Sequence, residues 1–162
     1  MGLNKEDTRH HGPLPEMLDY LLSVIESNDR VLEIGPGLVP FPRADVYVDI
    51  IDRPDIKPDQ LVKLDVCSDP LPFEDKSFDF IYCRHVLEDL WNPFHLCAEM
   101  SRVGKMGYIE TPSPIAELCC GVDGDGTKDV VYRGYHHHRW FIWRRGVELV
   151  FMPKWPLVEH SR

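Results

Sequence analysis

Five short runs rich in aliphatic and aromatic residues constrain this chain most. They are RVLEI at Arg30–Ile34, VYVDII at Val46–Ile51, Leu61–Leu64, FDFIYC at Phe78–Cys83 and MGYIE at Met106–Glu110. Runs this short and this apolar suit strands buried on both faces, as in a parallel sheet. Helical patterns alternate with them. Met17, Leu18, Leu21, Leu22, Val24 and Ile25 recur at three- and four-residue steps over Pro15–Ser27, with Pro15 at a first-turn position. A helical pattern begins at His85–Trp91. Asn92-Pro93 then reads as a cap and first-turn proline, opening a helix to about Arg102 that stops at Gly104.

Strand, helix and strand in alternation predict an α/β fold, a mostly parallel twisted sheet with helices on both faces. Ile115–Cys120 adds a helical turn, Gly121–Gly126 a loop, and Pro153–Pro156 an extended end. Trp140–Trp143 and Val147–Phe151, joined at Arg144-Arg145-Gly146, read as strands of an antiparallel C-terminal edge. A length of 162 residues suits one domain spanning 1–162.

Composition excludes several classes of function. No apolar run approaches a membrane span, and the first ten residues are polar and mixed in charge, so a soluble, cytoplasmic protein is expected. The net charge of −9 argues against general nucleic-acid binding, although the stretch from Lys128 to Arg162 is basic. That stretch is read as a solvated face before an anionic-substrate surface. Cys67, Cys83, Cys97, Cys119 and Cys120 show no two-residue metal or redox spacing and read as reduced thiols.

In parallel sheets of this kind ligands bind at the carboxyl ends of the strands, where strand order reverses. Residues suited to that task stand there repeatedly. Gly35 and Gly37 follow the first strand, Asp49 lies late in the second, Asp65 ends the third, Cys83-Arg84-His85 the fourth and Glu110-Thr111 the fifth. Glycines let backbone approach a ligand closely. A carboxylate can accept two hydrogen bonds from a ribose diol.

Glu33–Gly37 (EIGPG), Val48–Ile50 (VDI), Leu64–Leu90 and Tyr108–Glu110 resemble the Rossmann-like class I S-adenosylmethionine-dependent methyltransferases, most closely the group called methyltransferase type 11. The resemblance covers roughly residues 15–114, leaving 115–162 as C-terminal strands and a possible substrate side. It implies S-adenosylmethionine as cofactor, S-adenosylhomocysteine as product and a small-molecule methyl acceptor. Glu33, Gly35 and Gly37 would lie under the methionine part. Asp49 would hold the ribose, Asp65 and Val66 would flank the adenine, and Cys83 and Arg84 would line the floor near the methyl group. The departures are local. Leu38-Val39-Pro40 replaces a third glycine, and Pro40 and Pro42 cut the helix after the first strand to a turn.

Methyl transfer needs alignment more than a fixed catalytic signature. His85 is the candidate general base and Glu110 a candidate for orienting the acceptor; a backbone-bonded histidine and a simple ion pair are the alternatives. His136 and His138 would share one face of a strand. Two such imidazoles could bind a metal or line a substrate pocket, a partly exposed strand being the plainer alternative; no Asp, Glu or Cys stands beside them at ligand spacing, although Cys119 and Cys120 could approach in space, and no metal site is assigned. Trp140, Phe141, Trp143, Phe151 and Trp155 are read as closing the sheet edge and core, and Trp91 and Phe94 as packing. Two further function classes stay open: a degenerate member acting as a cofactor-binding or interaction module without turnover, and a different nucleotide-binding protein. The lack of a Gly-x-Gly-x-x-Gly run argues against the latter.

Overall fold

The computed structural model describes residues 13–120, 122 and 132–159, which form two compact units. The first runs through Arg84 and includes Phe94–Ile109; the second comprises His85–Pro93 and the chain from Glu110 onward.

The first unit is built on a sheet. In chain order it holds α1 (Pro15–Val24), β1 (Val31–Ile34), β2 (Val46–Asp49), β3 (Leu61–Lys63), β4 (Phe78–Arg84), α2 (Pro93–Val103) and β5 (Gly104–Glu110). The strand order is β3-β2-β1-β4-β5, and β1 pairs in parallel with both β2 and β4. The chain therefore travels outward from β1 to β3 and then returns to the other side of β1. That reversal places a topological switch point between β1 and β4. The fold is α/β and Rossmann-like, as the alternation of runs required.

Burial follows the pleat. Val31, Phe80 and Tyr82 face α1, whose Leu21 joins them with Ile25 and Phe41 in one buried cluster. Phe41 stacks on Tyr82 at 4.3 Å between ring centroids, and Tyr82 on Tyr108 at 5.7 Å. Glycine is needed at Gly107 because a Cβ there would lie 2.5 Å from the Ile81 carbonyl oxygen. The turn-rich segment before β4 is tied to α2. Arg102 donates to the carbonyls of Leu71 (2.9 Å) and Phe73 (2.7 Å) and to Glu99, while Glu99 accepts from the Leu71 N–H.

Between β1 and β2 no helix forms. Arg43 gathers the carbonyls of Glu26, Ser27 and Asp29, and the Ala44 N–H returns to Phe41. The shortened connection expected from Pro40 and Pro42 is therefore a folded loop, with Phe41 as its anchor in the core.

The second unit holds α3 (Pro114–Leu118), an antiparallel pair β6 (Trp140–Arg145) and β7 (Glu148–Pro153), and α4 (Pro156–Glu159). The two strands pair as expected but form a two-stranded sheet of their own. The stretch expected to be extended, Pro153–Pro156, is non-helical through Trp155, and α4 begins at its last residue, Pro156. His85–Trp91 is a turn, not a helix: His85 takes a φ of 52° and residues 87–89 form the turn. Val122 excepted, the loop expected at 121–126 lies outside the described residues. No helix of the described residues is long and apolar enough to cross a membrane.

Candidate functional site

Parallel register decides which side chains share an edge. Ile34 is level with Val48 on one side and Cys83 on the other. One residue further, Gly35, Asp49 and Arg84 therefore occupy a single row at the carboxyl edge. Asp49 is in turn level with Lys63 on β3, and Asp65 lies two residues beyond. Neighbouring strands are about 4.8 Å apart, so this row runs about 14 Å from β4 to β3. The first unit thus brings Gly35, Asp49, Cys83 and Arg84 to one rim, with Asp65 and Val66 at its β3 end.

Gly35 and Gly37 have φ values of 63° and 53°, a region that favours glycine. The Gly35 N–H is bonded to the Val48 carbonyl at 2.9 Å, which fixes the turn against β2. At Gly37 a Cβ would meet nothing within 4 Å, so the backbone there borders open space. Glycine at 37 serves conformation, not clearance.

Glu33 is not on the surface of this rim. It is 2% exposed, and its carboxylate accepts the Phe41 N–H at 2.7 Å. Burial pushes its pKa from 4.5 up to about 7, against the opposing pull of the Phe41 N–H and of Arg53 and Arg84. Glu33 therefore holds the loop from beneath. Asp49 is also engaged. It accepts from Arg53 Nη1 at 3.2 Å and from the Ile51 N–H at 3.3 Å. Arg53 is bonded to Asp55 as well, at 2.7 and 3.0 Å, and these contacts raise its pKa further, against the cost of burial. Sequence reasoning missed Arg53, which lies outside any regular element. Asp65 closes its own turn by accepting the Cys67 N–H at 2.9 Å. Cys83 is buried within β4.

In the second unit, His85 sits between two carboxylates. Its Nδ1 lies 3.1 Å from Glu88 Oε1 and its Nε2 lies 3.3 Å from Glu110 Oε1. Its N–H also donates to the Glu110 carbonyl at 2.8 Å. Both catalytic candidates thus form one cluster; the alternative of a helix-start histidine finds no helix at His85, where the bond to the Glu110 carbonyl is made by the main-chain N–H. Glu88, 1% exposed, was not singled out from the sequence.

The histidine run does not lie in a strand. His136 and His137 form a turn ahead of β6, so the pairing of His136 with His138 on one face does not occur. His136 packs on Tyr132 at 5.2 Å, while His137 and His138 converge with Asp89. Cys119 and Cys120 are exposed. Trp91 and Phe94 are largely exposed, contrary to a packing role, although Trp91 carries the Arg139 guanidinium 3.4 Å above its ring. Phe141 is buried as expected, whereas Trp155 is 66% exposed.

Residues 46–109 match the family of methyltransferase domains. The match bears out, over that stretch, the resemblance to class I S-adenosylmethionine-dependent methyltransferases. It begins at β2 and so leaves out β1 and the glycine loop, where the sequence departs from the family pattern. Among solved structures, one similar chain is a SAM-dependent methyltransferase, possibly a histamine N-methyltransferase, from Thermotoga maritima. It is 24% identical, with 57% of this chain and 47% of that one covered and a TM-score of 0.44. The matched region thus spans about half of that protein. A comparison with curated proteins found no significant match.

Proposed function

We propose, with the methyltransferase-domain match over residues 46–109 as premise, that this chain is an S-adenosylmethionine-dependent methyltransferase acting on a small molecule. The observation that carries the reading is the row of Gly35, Asp49 and Arg84 beside the β1/β4 switch point. Open space at the Gly37 Cβ position fits a ligand laid against that loop.

When bound, the cofactor supplies an electrophilic methyl on its sulfonium. The chain's part is to bind and orient. Gly35 and Gly37 present bare backbone to the methionine moiety, and Glu33 fixes that loop through Phe41. Asp49 accepts the ribose hydroxyls, with Arg53 holding its carboxylate in place. Asp65 and Val66 border the adenine; Cys83 and Arg84 form the floor. His85, the next residue after Arg84, takes a proton from the acceptor where one must leave. Glu110 occupies its Nε2, so that proton reaches the imidazole by displacing Glu110 or through the Glu110 carboxylate. The engagement of both ring nitrogens also favours a second reading, a domain that binds the cofactor without turnover.

Titration calorimetry with S-adenosylhomocysteine and, separately, with NAD tests the binding claim. The reading expects a saturable heat for the first and none for the second; the reverse pattern, or silence with both, would remove it. Incubation of acceptor panels with a deuterated methyl donor, read by mass spectrometry, then separates enzyme from binding module.

A further inference from the structure

We propose that Asp89, His137 and His138, three ligands among the described residues, form a site for a divalent first-row transition ion, zinc foremost. The cluster lies within the second unit and does not depend on the methyl-transfer reading. One ligand atom from each residue lies within 4.8 Å of the other two. Nε2 of His137 and Nε2 of His138 stand 3.8 and 3.9 Å from the same atom, Asp89 Oδ1. Those gaps are too long for hydrogen bonds. They are close to the spacing of about 3.4 Å between ligands on a tetrahedral ion with bonds of about 2.1 Å.

Two further observations point to a ligand there. Asp89 Oδ1 is buried and has no hydrogen-bond partner, a costly condition for a carboxylate oxygen that a cation would relieve. His138, whose side chain is 5% exposed, has its Nδ1 2.5 Å from Glu117 Oε1, which turns Nε2 toward Asp89. A carboxylate on the far nitrogen is the usual support of a metal-binding imidazole, fixing its tautomer and direction. Glu117 is itself held, by Lys154 Nζ at 2.8 Å and the Tyr135 N–H at 3.3 Å.

The backbone is clipped in register as well. The Arg139 N–H donates to the Glu88 carbonyl at 2.7 Å, Arg139 Nε to the Asp89 carbonyl at 3.1 Å, and Trp140 Nε1 to the Leu90 carbonyl at 2.7 Å. Asp89 and His138 are therefore positioned by contacts that exist without an ion, and the more exposed His137 follows next to His138 in the chain. Two imidazoles and one carboxylate suit zinc and its neighbours; calcium and magnesium prefer all-oxygen shells, and copper(I) prefers sulfur.

The test uses the whole chain, stripped with chelator and titrated with Zn(II) alone. Bound metal is counted by elemental analysis after desalting, and Co(II) absorption reports the ligand geometry. The proposal expects about one equivalent of zinc and a Co(II) spectrum without thiolate bands. His137→Ala and Asp89→Asn should each weaken binding about tenfold or more. His136→Ala and the Cys119→Ser/Cys120→Ser pair should leave it unchanged. His137 is exposed, so its variant decides the matter should Asp89→Asn fail to fold. Substoichiometric zinc, affinity retained in His137→Ala, or affinity lost in the cysteine pair would each overturn the assignment.

Discussion

Replacing Glu33 by glutamine should make the protein more stable at pH 8 and leave it nearly unchanged at pH 4. The wild-type carboxyl has a pKa of about 7 in the fold against 4.5 when unfolded, because burial penalises its charged form. Below pH 4.5 the group is protonated in both states and costs nothing. Between 4.5 and 7 the unfolded chain releases its proton first, so the native state loses ground as pH rises. Above pH 7 the loss is complete. A difference of 7 minus 4.5 corresponds to about 3 kcal/mol in order of magnitude. Glutamine has no charge to bury, and its amide oxygen can still accept the Phe41 N–H. Urea unfolding of both proteins from pH 4 to 8 gives the difference in stability at each pH, in which all other titrating groups cancel. The variant should gain steadily from pH 4.5 to 7. A difference that does not vary with pH would refute the argument that Glu33 is ionised at a cost.

Three other outcomes follow from the same structure. Asp49→Ala should weaken S-adenosylhomocysteine binding by about 2 kcal/mol, or about thirtyfold, through loss of a charged acceptor, as measured by calorimetry; undiminished affinity would exclude the ribose role. Phe41→Ala should cost about 3–5 kcal/mol in chemical denaturation, because it empties a buried site stacked on Tyr82 and loosens the loop that Glu33 pins. Gly107→Ala should cost about 1–3 kcal/mol, since the added methyl meets a backbone oxygen.

The framework was legible because β1 and β4, buried on both faces, leave continuous apolar runs, and α2 buries one face at helical spacing. Val31–Ile34, Phe78–Arg84 and Pro93–Val103 fall within a residue or two of where the pattern placed them. The rim was legible too, since a parallel register sends the ends of successive strands to one edge. The stretch from His85 to Trp91 was misread for a physical reason. His85 takes a left-handed φ of 52°, which a helix does not accommodate, and the carbonyls of Glu88, Asp89 and Leu90 are tied to Arg139 and Trp140, about fifty positions away. Nothing local announces that competition. The same holds for Asp89 meeting His137 and His138, and for Phe41, a single aromatic between prolines that proves to be a core residue. Arg53 lies outside any regular element, so no periodic pattern marks its return to Asp49.

On the proposed reading, the carboxyl edge of the sheet receives an adenosyl group. A crystal of the protein soaked with S-adenosylhomocysteine tests it most directly. Density for the ligand should run from the Gly35–Gly37 loop past Asp49 to Asp65, with the ribose against the Asp49 carboxylate. Ligand bound at any other face of the sheet, with that edge left to water, would contradict it.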